Sequence, residues 1–397
     1  MAALVMALAV SGCTQPIADL REVDTFAQAK PVWAEGRETE KNLTLHFREQ
    51  FNSYFASTAY VKLTASCDYR LKINGEFVAH GPSVAAHDFY RIDCYDIKPY
   101  LKFGTNIVAL EVAGYNDDNY YLLNQPSFLQ AEVEVNGKVV AATGKDFTAY
   151  DLKQRRQDVR EFSFQRPYIE HYVLDPAYEE WTVKKDWAEA EPVKLAEQEA
   201  KQLLSRHVSY PDYTVHQAEQ IADNLYSFKC NSSGFLGVQL QVAEPTSLRL
   251  GFDEILSGER VNPGRMGCYA YVTYELQPGT YTLESFEPYT MKFMEVYVDK
   301  GSCQVERVYV RDYCGSDVKR ATFQCDNEET NELVEAAREA YNKIATFEQM
   351  AQVTNYATLV SAEQRIIALT PEDERVEAEA PTAETTAEET TVPTEAP

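Results

Sequence analysis

The chain has 397 residues, 45% hydrophobic and 25% charged, which is enough apolar material for more than one core and argues for two or three domains. Its formal net charge of −25 repels phosphate backbones, so nucleic acid is excluded as a partner and neutral ligands or cations are left. With 26 Tyr and 18 Phe against 3 Trp, the composition favours a strand-rich protein with polar-tipped surfaces.

Residues 1–30 read as a signal and spacer. The apolar run Met1 to Val10 is followed by Ser11, Gly12 and Cys13. Small residues before a Cys resemble a bacterial lipoprotein processing site, whose thiol takes a diacylglycerol. The expected membrane attachment is therefore a lipid anchor on Cys13, which implies an exported cell-envelope protein of the periplasm or outer membrane. No Lys or Arg precedes the run, so an ordinary Ala-rich terminus of a cytoplasmic protein stays open. The run is too short to span a bilayer, and no later segment qualifies.

Residues 31–150 carry period-two strands. Val61, Leu63, Ala65 and Cys67 alternate with Lys62, Thr64 and Ser66, and Asn74-Gly75 and Asn136-Gly137 are hairpin turns. The regular spacing predicts an antiparallel β-sandwich. Residues 151–205 are irregular and read as a connector with extended pieces and a short helix. Residues 206–316 return to alternation, as in Leu236, Val238, Leu240 and Val242, and predict a second sandwich. The fold class is thus mainly β. Residues 317–369 switch to helical spacing behind a capping box at Asp326 and Glu329, and two long helices are expected there. Residues 370–397 are Glu, Thr, Ala and Pro without apolar anchors and predict a disordered acidic tail.

Eight Cys are present without a CxxC pair, so no zinc site is indicated. Cys67 is in phase with a core face, as is Cys230 with Tyr226 and Phe228, and both read as small core hydrophobes. His80 and His87 fall in an expected loop. Asp253 and Glu254 are neighbours on an extended segment and point to opposite faces, so a hydrogen-bonding role toward the Asn262 to Arg265 segment is expected rather than paired catalysis.

Several stretches resemble glycoside hydrolase family 78, the bacterial α-L-rhamnosidases. They are Tyr69 to Val78 with Gly81-Pro82, Ala113 to Asn116, Gln125 to Glu132, Phe252 to Ser257, Val261 to Met266 and Glu284 to Thr290. The resemblance covers roughly residues 33–345. It implies galactose-binding-like or jelly-roll sandwiches placed ahead of an (α/α)6 barrel, in which a general acid and a second carboxylate act with inversion. Phe323 to Glu328 looks like the lead-in to that barrel, but the sequence then departs from the family pattern. Neither catalytic carboxylate has a position here, and no catalytic residue is assigned. The expectation is a carbohydrate-associated binding or scaffold module. A front fragment of a whole rhamnosidase and a structural docking protein are the alternatives.

No GxSxG, P-loop, GxGxxG or HExxH occurs. The most suggestive loop runs from Tyr115 through Asn116, Asp117, Asp118, Asn119 and Tyr120 to Tyr121. Aromatic faces suit the C–H side of a sugar ring, and amides and carboxylates suit its hydroxyls. Tyr115, Asn116, Asp117, Tyr120, Tyr121 and Gln125 are the candidate contacts to a rhamnose-containing or other glycan. Asp117 and Asp118 are candidate calcium ligands. The remaining reading is a turn-rich loop whose Tyr rings pack on the sandwich.

Overall fold

The computed structural model describes residues 23–120, 122–315 and 328–343. Cys13, Tyr121, the Asp326 cap and the acidic tail lie outside the described residues.

The first sandwich is built from a seven-stranded and a six-stranded sheet. Ala59–Ala65 sits between Leu129–Val135 and Phe89–Asp96, and Leu43–Ser53 pairs along its whole length with Gly104–Gly114. Alternation decides which side chains enter the core: Tyr69, Leu71 and Ile73 are fully buried, while Arg70 and Lys72 leave the opposite face of the same strand. Both predicted hairpins form. Asn74 and Gly75, like Asn136 and Gly137, have positive φ at both central positions, which matches the twist of the flanking strands.

The connector consists of short extended pieces and one helical turn. Its helical content among the described residues is one 3-10 turn, Glu180–Thr182, and most of its ordered length is strand. Leu195–Glu197 extends one sheet of the first sandwich through Val32–Ala34, and Gln202–Ser205 runs parallel to Phe89–Asp96. Glu170–Leu174 runs parallel to Tyr271–Leu276 in the second sandwich. All three are edge strands, held by main-chain bonds to sheets that would otherwise end open, and Glu170–Leu174 alternates buried and half-buried residues.

The second sandwich is one nine-stranded sheet folded over its own core. The fold-over uses Leu225–Val242, which pairs with Tyr289–Lys300 in its first half and with Gly279–Glu284 in its second. At Gly237 a Cβ would collide with the Tyr309 ring, so only glycine lets that neighbour lie across the strand. Within the same strand the register shifts between Ser227 and Ser232, and Lys229 has φ of 70°. This bulge breaks the alternation and turns Cys230 out to solvent, contrary to its expected burial. Cys67 is buried as expected. His80 is also corrected: it lies on strand Glu76–Gly81 and is buried. Asp253 takes both Nε and Nη2 of Arg265, the Nε at 2.6 Å, which is the loop-tying role the sequence assigns it.

The helix Glu328–Asn342 forms a separate unit. It is amphipathic in sequence, and its Leu333 is exposed.

Candidate functional site

The Tyr115 loop is mostly occupied with holding itself and its neighbours. Tyr115 is fully buried, and its phenol donates to Glu287 of the second sandwich. Asn116 is buried with φ of 48°, and its amide donates to Glu40 O at 3.1 Å and Ser127 Oγ at 2.7 Å. Gln125 accepts from Tyr90 Oη at 2.6 Å and donates to Ser66 O at 2.9 Å. Asp117 faces Lys41 at 3.5 Å, and Asp118 accepts from Asn124 N at 2.8 Å. Among the described candidates Tyr120 and Asp118 are exposed, and the Tyr120 ring lies edge-on to Phe164. Among the described residues no group of three or more His, Cys, Asp or Glu side chains is placed to hold a metal ion.

Tyr115 instead belongs to a buried junction of the two sandwiches. Arg155 Nη2 donates to its phenol oxygen at 3.2 Å, and Arg166 Nη2 reaches the second oxygen of Glu287 at 3.3 Å. Glu170 closes the junction: its carboxylate accepts from Phe286 N at 2.7 Å, Glu287 N at 3.0 Å, Tyr289 Oη at 2.8 Å and Tyr172 Oη at 2.7 Å. Burial and the neighbouring carboxylates push the Tyr115, Tyr172 and Tyr289 phenols well above their ordinary value, so all three stay protonated donors.

Beside this junction lies a cleft of about 470 Å³, a size that suits a small ligand. Its floor is the outward face of the six-stranded sheet. Arg70 and Glu111 are direct cross-strand partners there, and His46 is the partner of Glu111 on the other side. Burial holds the His46 imidazole below its ordinary value against the pull of Glu111, so the ring is neutral. The far wall is the second sandwich: Tyr172, Tyr274, Tyr309, Glu284 and Arg311. Arg311 donates to Glu284 at 3.1 Å and stacks over Phe77, 4.5 Å from the ring centre. The connector forms the roof. Lys72 binds Glu179 at 2.6 Å, Tyr178 Oη donates to Thr282 O at 2.5 Å, and Trp181 packs edge-on to His46.

Two features mark the lining of this cleft. Arg70 Nε and Tyr274 Oη are buried without a hydrogen-bond partner, a condition that costs about 1–3 kcal/mol per group. Charges are also paired across the cleft, Lys72 with Glu179 and Arg311 with Glu284, while Arg70 and Glu111 are cross-strand neighbours and Glu180 is held by Lys184 outside the lining. Such a lining offers donors, acceptors and aromatic faces. None of these residues was singled out in the sequence. The visible signal was Arg70 and Lys72 on the polar phase of a strand whose other phase is entirely core.

The sequence matches no protein-family model, and no protein of curated function matches it. Solved structures match by fold. The native α-L-rhamnosidase of Aspergillus terreus aligns with TM-score 0.58 and 18% identity over 80% of this chain. The α-L-rhamnosidase of Dictyoglumus thermophilum gives 0.56 and 16% over 83%, and that of Streptomyces avermitilis, complexed with L-rhamnose, 0.53 and 20% over 74%. The chain spans 39%, 39% and 30% of those three proteins. At these identities the likeness is one of architecture: the chain has an α-L-rhamnosidase-like, β-rich fold.

Proposed function

We propose that the paired sandwiches are a non-catalytic carbohydrate-binding module of an α-L-rhamnosidase-like protein, held at the cell envelope by a lipid on Cys13. The ligand is an uncharged saccharide, rhamnose or a rhamnoside, and it occupies the cleft between the sandwiches. The observation that carries this reading is the cleft of about 470 Å³ lined by Phe77, Tyr274 and Tyr309 together with the paired charges of Lys72, Glu179, Glu284 and Arg311. A polyol supplies both donors and acceptors, which suits the Glu111, Glu179 and Glu284 carboxylates and the Lys72 and Arg311 donors that line the cleft. Its C–H face can lie on Phe77 or Tyr309.

A second reading is favoured by the 39% span of the two rhamnosidases named first: the same sandwiches accompany a catalytic domain in a whole enzyme. Incubating the purified chain with p-nitrophenyl α-L-rhamnoside tests the non-catalytic assignment. Binding without release of nitrophenol is expected. Turnover by this chain would overturn it.

A further inference from the structure

The tip of the first sandwich farthest from the Tyr115 loop carries a second surface. Tyr54, Phe55 and Phe103 are 57%, 85% and 73% exposed. Their rings meet edge to face, Tyr54 with Phe103 at 5.4 Å and Phe55 with Phe103 at 5.6 Å. Three adjoining aromatics facing solvent form a contiguous apolar patch of the kind that marks an interaction site.

The loops that present them are fixed. Asn136 donates to Phe55 O at 3.0 Å and accepts from Ser57 N at 2.8 Å, while Thr105 donates to Asn52 at 3.1 Å. Lys98, Lys102 and Lys138 are exposed at the same end of the sheets, together with the acidic Glu76 and Asp96, in a chain whose net charge is −25.

The described chain enters the sandwich heading away from this tip. Val32 is paired antiparallel with Leu129, and Ala27, Gln28 and Ala29 donate to Glu132. Followed backwards, the N-terminal arm therefore moves along Leu129–Val135 toward the Asn136-Gly137 turn. Four residues, roughly 14 Å, separate Glu132 from that turn. Cys13 is fourteen residues before Ala27, a reach of roughly 50 Å when extended.

We propose that this aromatic tip rests on a lipid bilayer surface, with Tyr54, Phe55 and Phe103 at the headgroup boundary and the three lysines toward anionic headgroups. The inference goes beyond the saccharide reading. It uses the Cys13 anchor only as the tether that raises the local concentration of the surface.

The test places a tryptophan at the tip of the full chain (Phe55→Trp) and a control at the exposed Phe164 (Phe164→Trp), which contacts the Tyr120 loop at the opposite end of the sandwich. Each is mixed with phosphatidylethanolamine–phosphatidylglycerol vesicles containing brominated phosphatidylcholine, and emission is compared with the parent chain. A blue shift and bromolipid quenching at position 55 and not at 164 is the expected result. No change at 55, or equal changes at both positions, overturns the proposal. So does a shift at 55 with a soluble glycan but not with vesicles, which would make the tip a glycan platform. The mass of Cys13 from native membranes is read separately and bears on the anchor alone.

Discussion

Tyr115 of the first sandwich donates its phenol to Glu287 of the second, and Arg155 and Arg166 bracket that pair. The contact makes the two sandwiches one unit and fixes one wall of the junction beside the cleft. It also removes Tyr115 from any role as a sugar platform. Tyr115→Phe is expected to destabilise the chain by about 1–3 kcal/mol in urea denaturation, because buried Glu287 and Arg155 lose a partner. Saccharide affinity in the cleft should stay unchanged.

Glu170 is the more severe site. Its carboxylate takes two backbone amides and two phenols, all buried. Glu170→Ala leaves those donors unsatisfied and is expected to cost about 3–5 kcal/mol, visible as a lower urea midpoint.

Much of this architecture is legible in the sequence. Strand alternation and two Asn-Gly turns mark the first sandwich, and the phase of residues 236–242 marks the second. The sheet that each connector strand joins is not legible, because an edge strand such as Gln202–Ser205 is placed by its neighbour and not by a local motif. Cys230 is misread because one residue at positive φ, Lys229, shifts the phase. The Tyr115 loop has the composition of a recognition loop, yet Tyr115 itself faces a partner 172 residues away in sequence, which spacing cannot reveal. The cleft is assembled from both sandwiches and the connector, so no local motif announces it.

Acid stability should report the surface pair Arg37–Glu40. The Arg37 hydrogen bonds, at 2.5 and 2.9 Å, lower the Glu40 carboxyl to about 2. A depressed carboxylate contributes stability that is present above its unfolded value near 4.3 and is lost as pH falls through about 2. The pair is partly exposed, so its worth is below about 1 kcal/mol. Arg37→Gln should therefore lower the melting temperature slightly at pH 7, and the difference should shrink as pH falls toward 2 and vanish below it. A difference that grows on acidification would contradict the assignment.

Thiol labelling separates the two cysteines that the sequence treats alike. Burial pushes the Cys67 thiol up to about 12, whereas Cys230 is exposed on the bulge. With an aromatic disulfide reagent at pH 8, Cys230 should react at once and Cys67 only on unfolding. Peptide mapping of the labelled chain reads both sites.

The central claim is that the cleft between the sandwiches binds an uncharged saccharide. Calorimetric titration of L-rhamnose into the parent chain and into Glu111→Gln tests it most directly, with unfolding midpoints measured on the same samples. A saturable heat in the parent, weakened about tenfold or more in a variant that still unfolds cooperatively, is the predicted result, since a charged hydrogen bond contributes about 1.5–3 kcal/mol. No heat with rhamnose or other neutral sugars, or binding that Glu111→Gln leaves untouched, would contradict it.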